Sequence, residues 1–301
     1  MSGLISSNIV MRYREFESDT EELPNQNEKK SFKQTLIGDE FQTLTPKKAF
    51  DLVKLGVSEM LGTAILLGLG CMGTKDTTGG GVFHLNVVFS FAMAVATSVM
   101  IFGHVSGSHI NPALSLVAVV MGKISLQKFV VYSVFQCIGA VLGYSITRSL
   151  FPAAYLDDKF CCTFPNPNVE ISQAFTAELI LTAIIGMVLC AAFDQRCLDK
   201  HDSLPLKFGF AVVALAVPGA QFAGCSVNPA RSFAPALITG HWEHQWVYWL
   251  APLSGAFIGS FIYRVLFYDN PESHEVDPNS YDVTETVKLQ VISDNANETS
   301  H

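Results

Sequence analysis

The chain of 301 residues is 49% hydrophobic and only 15% charged, with a mean hydropathy of +0.32, a balance too apolar for an ordinary soluble domain and suited to a membrane-embedded one. Its net charge of −8 argues against nucleic acid as a partner. The seven cysteines are an odd number with four inside apolar runs, which argues against a disulfide framework and assigns no role to the neighbours Cys161 and Cys162.

Residues 1–48 are polar and read as a disordered cytoplasmic tail without a cleavable signal, so the first apolar span is expected to serve as its own insertion signal. Six stretches, near 50–73, 83–103, 128–149, 171–193, 204–223 and 244–267, are long and apolar enough to cross a bilayer, which takes roughly 20 helical residues for a hydrocarbon core of about 30 Å. Two shorter apolar segments, 111–121 and 228–239, lie between spans two and three and between spans five and six. Each opens with an asparagine suited to an N-cap, has proline at the first helical position, and stops at a glycine, Gly122 or Gly240. At roughly 1.5 Å per residue such a stub reaches about 16 Å, half the hydrocarbon thickness. Two stubs meeting tip to tip would complete one span. Residues 268–301 hold eight acids against one lysine and read as an acidic cytoplasmic tail, leaving 49–267 as the membrane domain.

The stubs belong to a repeat. "HINPALSL" at 109–116 returns as "SVNPARSF" at 226–233, so Asn111-Pro112-Ala113 is matched by Asn228-Pro229-Ala230, each with a glycine four residues before the asparagine and a serine four after it. "SEMLGTAI" at 58–65 returns as "AELILTAI" at 177–184, which pairs Glu59 with Glu178. Each half, 49–150 and 171–267, therefore reads as span, span, stub, span. Three crossings per half put the second half upside down relative to the first. The fold class is an all-α membrane protein with six transmembrane helices and two re-entrant half-helices. Lys29, Lys30, Lys33, Lys47, Lys48, Lys123, Lys128, Arg196, Lys200 and Lys207 fall at one set of loops and ends, and the positive-inside rule then puts both termini in the cytoplasm. The sequon at 297–299 would be out of reach of glycosylation.

Non-helical backbone at membrane depth is tolerated only where it is buried or lines a wet cavity. The small, glycine-bearing segments 103–110 and 220–227 suit a chain that turns inside the membrane and lends carbonyls to a pore. Two half-helix N-termini, roughly +0.5 charge each, would face one central spot and repel cations. The amides of Asn111 and Asn228 would hold a central water by its oxygen, so that neighbouring waters turn outward on both sides and proton hopping is interrupted. His104 and His109 are candidates for pH gating, and Ser31, Thr35, Thr284 and Ser293 for phosphorylation. No nucleophile–base pair or metal-ligand cluster is visible, so neither catalysis nor a cofactor or metal is expected.

With its paired Asn-Pro-Ala boxes and paired glutamates, the chain resembles the aquaporin (major intrinsic protein) family over roughly residues 50–267. The resemblance implies a homotetramer in the bilayer with one pore per subunit, and it implies that Glu59 and Glu178 brace the re-entrant loops. It also implies a constriction at Phe91, Ala216, Cys225 and Arg231, with Cys225 a site for mercurials. Water-selective members resemble one another in having histidine where this chain has Ala216, so a wider, more apolar constriction passing water, glycerol and urea is implied. Ser232 and Tyr248-Trp249 look instead like the water-channel side, a mixture similar to the insect entomoglyceroporins. A strictly water-selective channel stays open, as do a proton-coupled transporter using Glu59 or Glu178 and a membrane-junction protein.

Overall fold

The computed structural model describes residues 45–268, those at 198–201 by backbone alone. Residues 1–44 and 269–301, with the sequon and the four phosphorylation candidates, lie outside the described residues, whereas residues 46–48, read as tail from the sequence, form the first turn of the first helix. The described residues form long helices α1 (Pro46–Met72), α2 (His84–Ser106), α4 (Leu126–Leu150), α5 (Ile171–Phe193), α6 (Leu204–Ala223) and α8 (Val247–Leu266), with short helices α3 (Pro112–Val120) and α7 (Pro229–Thr239) between them. All six long helices are long and apolar enough to cross a membrane. They leave many large apolar side chains uncovered, among them Ile146, Phe210 and Val265, as lipid contact requires.

Local chemistry sets the helix ends. Thr45 accepts from the Lys48 N–H at 3.3 Å, with Pro46 at the first helical position of α1. Asn111 Oδ1 accepts from the Ala113 N–H at 2.8 Å, and Asn228 Oδ1 from the N–H groups of Ala230 and Arg231 at 3.0 and 3.3 Å. Each bond satisfies a donor that a helix start leaves orphaned. The glycines Gly107 and Gly224 end α2 and α6 at φ 89° and 79°, a left-handed turn open to residues without a Cβ. At the stubs' far ends Gly240 caps α7, whereas α3 closes at Met121, one residue before Gly122.

The helices pack as two related sets. α1 lies against α4 and α2, as α5 lies against α8 and α6, and α2 meets α6 between the halves. At the closest crossings a Cβ on Gly139 or Gly143 of α4 would overlap the carbonyls of Met60 or Ala64 of α1. A Cβ on Gly255 or Gly259 of α8 would overlap those of Leu179 or Ala183 of α5. Both pairs have the small-xxx-small spacing by which helices approach without a hydrophobic drive from solvent.

The stubs change sides. α7 packs on α4 and α3 on α8. Ala230 and Ala234 of α7 lie in a core built from α1, α2 and α4, while Ala113, Leu114 and Val117 of α3 lie in a core built from α5, α6 and α8. Each half thus holds the other's stub.

The link Gln195–Ser203 is clamped to the end of α8. The Arg196 guanidinium donates to both Asp194 oxygens at 2.8 and 2.6 Å and to the Phe267 carbonyl at 2.6 Å, and the Tyr263 hydroxyl donates to Asp194 at 3.3 Å. These bonds, Arg196 first, hold the Asp194 carboxyl down at about 2.

Gly259→Val is expected to lower the stability of the detergent-solubilised protein by at least about 2 kcal/mol, because the backbone of α5 must move. Gly68→Ala meets only the Thr147 hydroxyl, at 3.8 Å, and is expected to change it by no more than about 0.5 kcal/mol. Thermal unfolding of the two variants beside wild type decides this. For Asp194 the depressed folded value means that its contribution is fully present above the ordinary 3.8 and is lost as pH falls toward about 2. The melting-temperature gap between wild type and Asp194→Asn should therefore be flat at neutral pH and close in that acid window.

Candidate functional site: a cavity between two facing half-helices

The two asparagine caps meet. Asn111 Nδ2 donates to the Val227 carbonyl at 2.8 Å, and Asn228 Nδ2 donates to the Ile110 carbonyl at 2.9 Å. Each stub is thereby fastened to the residue just before the other's cap. Because an amide nitrogen carries two hydrogens, this takes one donor from each asparagine and leaves one. The amide donors read from the sequence as holding a central water are thus one per asparagine, the other fastening the stubs.

The backbone ahead of each cap is strained in matching places. Gly107, Ser108 and Ile110 have φ of 89°, 48° and 46°, and their repeat partners Gly224, Cys225 and Val227 have 79°, 51° and 46°. Left-handed geometry at a non-glycine costs on the order of 1–2 kcal/mol. It is held here by the carboxylates. Glu59 accepts from the His109 and Ile110 N–H groups at 2.9 and 2.6 Å, and Glu178 from those of Ser226 and Val227 at 2.7 and 2.8 Å. Both carboxylates are fully buried, which a charge at membrane depth requires to be matched by donors. Glu59 takes two more, from Ser106 Oγ at 2.6 Å and Gln136 Nε2 at 2.8 Å. Tyrosine hydroxyls anchor the approaches in the same mirrored way, Tyr132 to the Ser106 carbonyl at 3.0 Å and Tyr248 to that of Ala223 at 3.1 Å.

With the N–H groups committed to the glutamates, the carbonyls at 107–109 and 224–226 receive no protein donor among the described residues. They belong to a cavity of about 700 Å³, walled by both re-entrant segments and reaching from His84 on one face to Asp202 and Leu204 on the other. Its wall is apolar except for these carbonyls and a few side chains, a pattern suited to small, mostly uncharged molecules.

The pore, constriction and brace residues read from the sequence can each be placed. Phe91, Ala216, Cys225, Arg231, Asn111 and Asn228 all line this cavity, whereas Glu59 and Glu178 do not. Pro112, Ala113, Pro229 and Ala230 are buried behind the caps in the first turns of the stubs. The Arg231 guanidinium sits 4.7 Å from the centre of the Phe91 ring and donates to the Cys161 carbonyl at 2.9 Å. His109 also lines the wall, with Nδ1 3.2 Å from Ser115 Oγ and its ring edge-on to Tyr132. His104 and Phe193 stand near the far mouth.

The cysteine reading needs correction: Cys71 and Cys161 form a disulfide across 90 residues. Cys71 closes α1 inside an apolar run and looked like a small hydrophobe. Only the return of the loop 151–170 over the end of α1 puts the two sulfurs together. Cys162 is free, 3.4 Å from Thr239 Oγ1. Gln136, Thr163 and Ser226 escaped notice as well. Thr163 and Ser226 both reach the Ser232 hydroxyl, at 2.7 and 2.6 Å, and of this group only Ser232 sits at a repeated position.

Residues 47–263 match the family model described as major intrinsic protein. Aquaporin-2 of Rattus norvegicus is 34% identical over 217 residues, covering 72% of this chain and 80% of the relative. The lens fiber major intrinsic protein of Bos taurus is 35% identical over 194 residues, 64% of this chain and 73% of the relative. Among solved structures, the aquaglyceroporin from Plasmodium falciparum aligns with a TM-score of 0.66 at 24% identity over 71% of this chain and 96% of that one, a likeness of fold. The family match runs from the first turn of α1 into the last turn of α8 and so takes in both stubs and the cavity between them. The chain therefore belongs to the major intrinsic protein (aquaporin) family, whose members are membrane channels for water or small solutes and not enzymes.

Proposed function

We propose that the chain is a passive plasma-membrane channel, assembled as a homotetramer with both termini cytoplasmic, that passes glycerol and urea as well as water and excludes protons and ions. The observation that carries the solute reading is Ala216. It stands on the cavity wall that also holds the Phe91–Arg231 pair, and its single methyl leaves open the volume that an imidazole would occupy. A polyol or amide needs both a polar and an apolar wall to shed its water. Here Arg231 and the bare carbonyls are the polar side, and Phe91, Ala216 and Leu66 the apolar one.

Exclusion of protons and cations rests on Arg231, on the remaining asparagine donors and on the positive ends of α3 and α7, roughly half a charge each. A proton relay through Glu59 or Glu178 is disfavoured, because each Glu59 oxygen already accepts two donors and each Glu178 oxygen a backbone N–H, and neither side chain lines the cavity. The orientation is supported from two sides. Lys123 and Arg196 lie on the face where α1 begins and α8 ends, and the Cys71–Cys161 disulfide lies on the opposite face, as expected of a bond that persists in an oxidising space.

In proteoliposomes, Ala216→His is expected to lower glycerol permeability roughly tenfold or more while water permeability stays within about threefold, because a ring narrows the passage most for the larger solute. Unchanged glycerol flux in an inserted, folded variant would remove position 216 from the constriction. Arg231→Val is expected to raise proton leak, read with a pH-sensitive dye inside the vesicles, without loss of water flux; an unaltered leak would mean that the arginine is not a barrier to charge.

A further inference from the structure

The Cys71–Cys161 disulfide lies next to the cavity's arginine. The Cys161 carbonyl is the acceptor for Arg231 Nη1, at 2.9 Å. That carbonyl is aimed by an uncommon backbone, because Cys161 has φ 58°, a region a side-chain-bearing residue avoids unless something holds it. The flanking residues are held by hydrogen bonds alone: Tyr144 OH donates to the Phe160 carbonyl at 3.0 Å, the Phe160 and Cys162 N–H groups donate to the Asp157 and Lys159 carbonyls at 3.4 and 3.0 Å, Cys162 Sγ lies 3.4 Å from Thr239 Oγ1, and Thr163 Oγ1 donates to Ser232 Oγ at 2.7 Å. Residue 161 itself is held by the covalent bond to Cys71.

The other end of that bond reaches the facing wall. Cys71 follows Gly70, and a Cβ on Gly70 would run into the Phe91 ring, so the ring rests on the last turn of α1. Phe91 in turn lies under the Arg231 guanidinium at 4.7 Å. One covalent link therefore joins the acceptor that orients the arginine to the helix end that seats the aromatic ring beneath it. Both cysteines are buried, so the bond lies inside the protein behind the Arg231 contact and is not a surface staple on a distant loop. The loop's ion pair to the segment after α1, Lys75–Asp157 at 2.5 Å, leaves Asp157 about half exposed, and such pairs hold little.

We propose that Cys71 and Cys161, through their disulfide, are positioning residues for Arg231: the bond sets where the guanidinium stands over Phe91, and so sets the ratio in which the channel passes small polyols and water and how well it blocks protons. This rests on the reading of Phe91, Ala216, Cys225 and Arg231 as the constriction. Without the bond, residue 161 relaxes toward negative φ, its carbonyl turns, and the arginine gains freedom to swing off the ring.

The test uses the full chain in proteoliposomes and compares wild type with the double variant Cys71→Ala/Cys161→Ala, which leaves no orphan thiol to pair with Cys162. The readouts are the glycerol-to-water permeability ratio and the proton leak per unit of water flux. Both are ratios, so they do not depend on how much channel inserts, and a disulfide that only stabilises the fold would leave them unmoved. The expected result is a change in the ratio of about threefold or more together with a raised leak. Ratios equal to wild type would overturn the proposal, as would alkylation of Cys71 and Cys161 as free thiols in the unreduced wild type. Should the alanine pair fail to insert, the near-isosteric Cys71→Ser/Cys161→Ser pair takes its place. Failure of both would reduce the bond to a folding staple and sink the positioning role. If wild type itself passes no glycerol, the solute reading falls separately and the disulfide is judged by proton leak alone.

Discussion

Two bonds make the rest of the structure possible: the amide of Asn111 on the Val227 carbonyl and the amide of Asn228 on the Ile110 carbonyl. Each stub is too short to cross a membrane, and each begins with N–H groups that hydrocarbon cannot satisfy. Capping through Oδ1 and fastening through Nδ2 use both ends of one side chain. Aspartate could cap but not fasten, and serine is too short to do both, so asparagine is the residue type the geometry selects.

A buried carboxylate and a strained backbone are each costly on their own, and here they offset one another. Three left-handed residues on each side turn the N–H groups of 109–110 and 226–227 outward to Glu59 and Glu178. The neighbouring carbonyls are then left to the cavity. One arrangement thus anchors the chain, satisfies two buried acids and supplies the acceptors of the passage. It does so twice, related by the inversion of the halves. The exchange of stubs between the halves couples the two copies, since neither core is complete without the other's short helix.

The two faces of the molecule part from this symmetry. On one, a disulfide, Arg231 and Phe91 meet around the cavity. On the other, an Asp194–Arg196 clamp ties the inter-half link to the end of α8, while His104 and Phe193 border the mouth. The repeat accounts for the central frame, whereas these features belong to one face each and have no counterpart in the other half.

Much of this was legible in the residues. Span lengths, the cap-proline-stop pattern of the stubs and the spacing of Asn111 to Asn228 and Glu59 to Glu178 are local or repeated signals. An inverted repeat follows from counting crossings, because backbone satisfaction in lipid leaves few alternatives. What sequence could not decide depends on loops that return from far along the chain. The Cys71–Cys161 bond, the placing of the Cys161 carbonyl on Arg231, the approach of Gln136 to Glu59 and the seating of each stub in the opposite half join residues with no periodic relation. Hydrophobic pattern and capping are read within a few turns of helix. A contact across 90 residues exists only once helix packing has fixed where both partners stand.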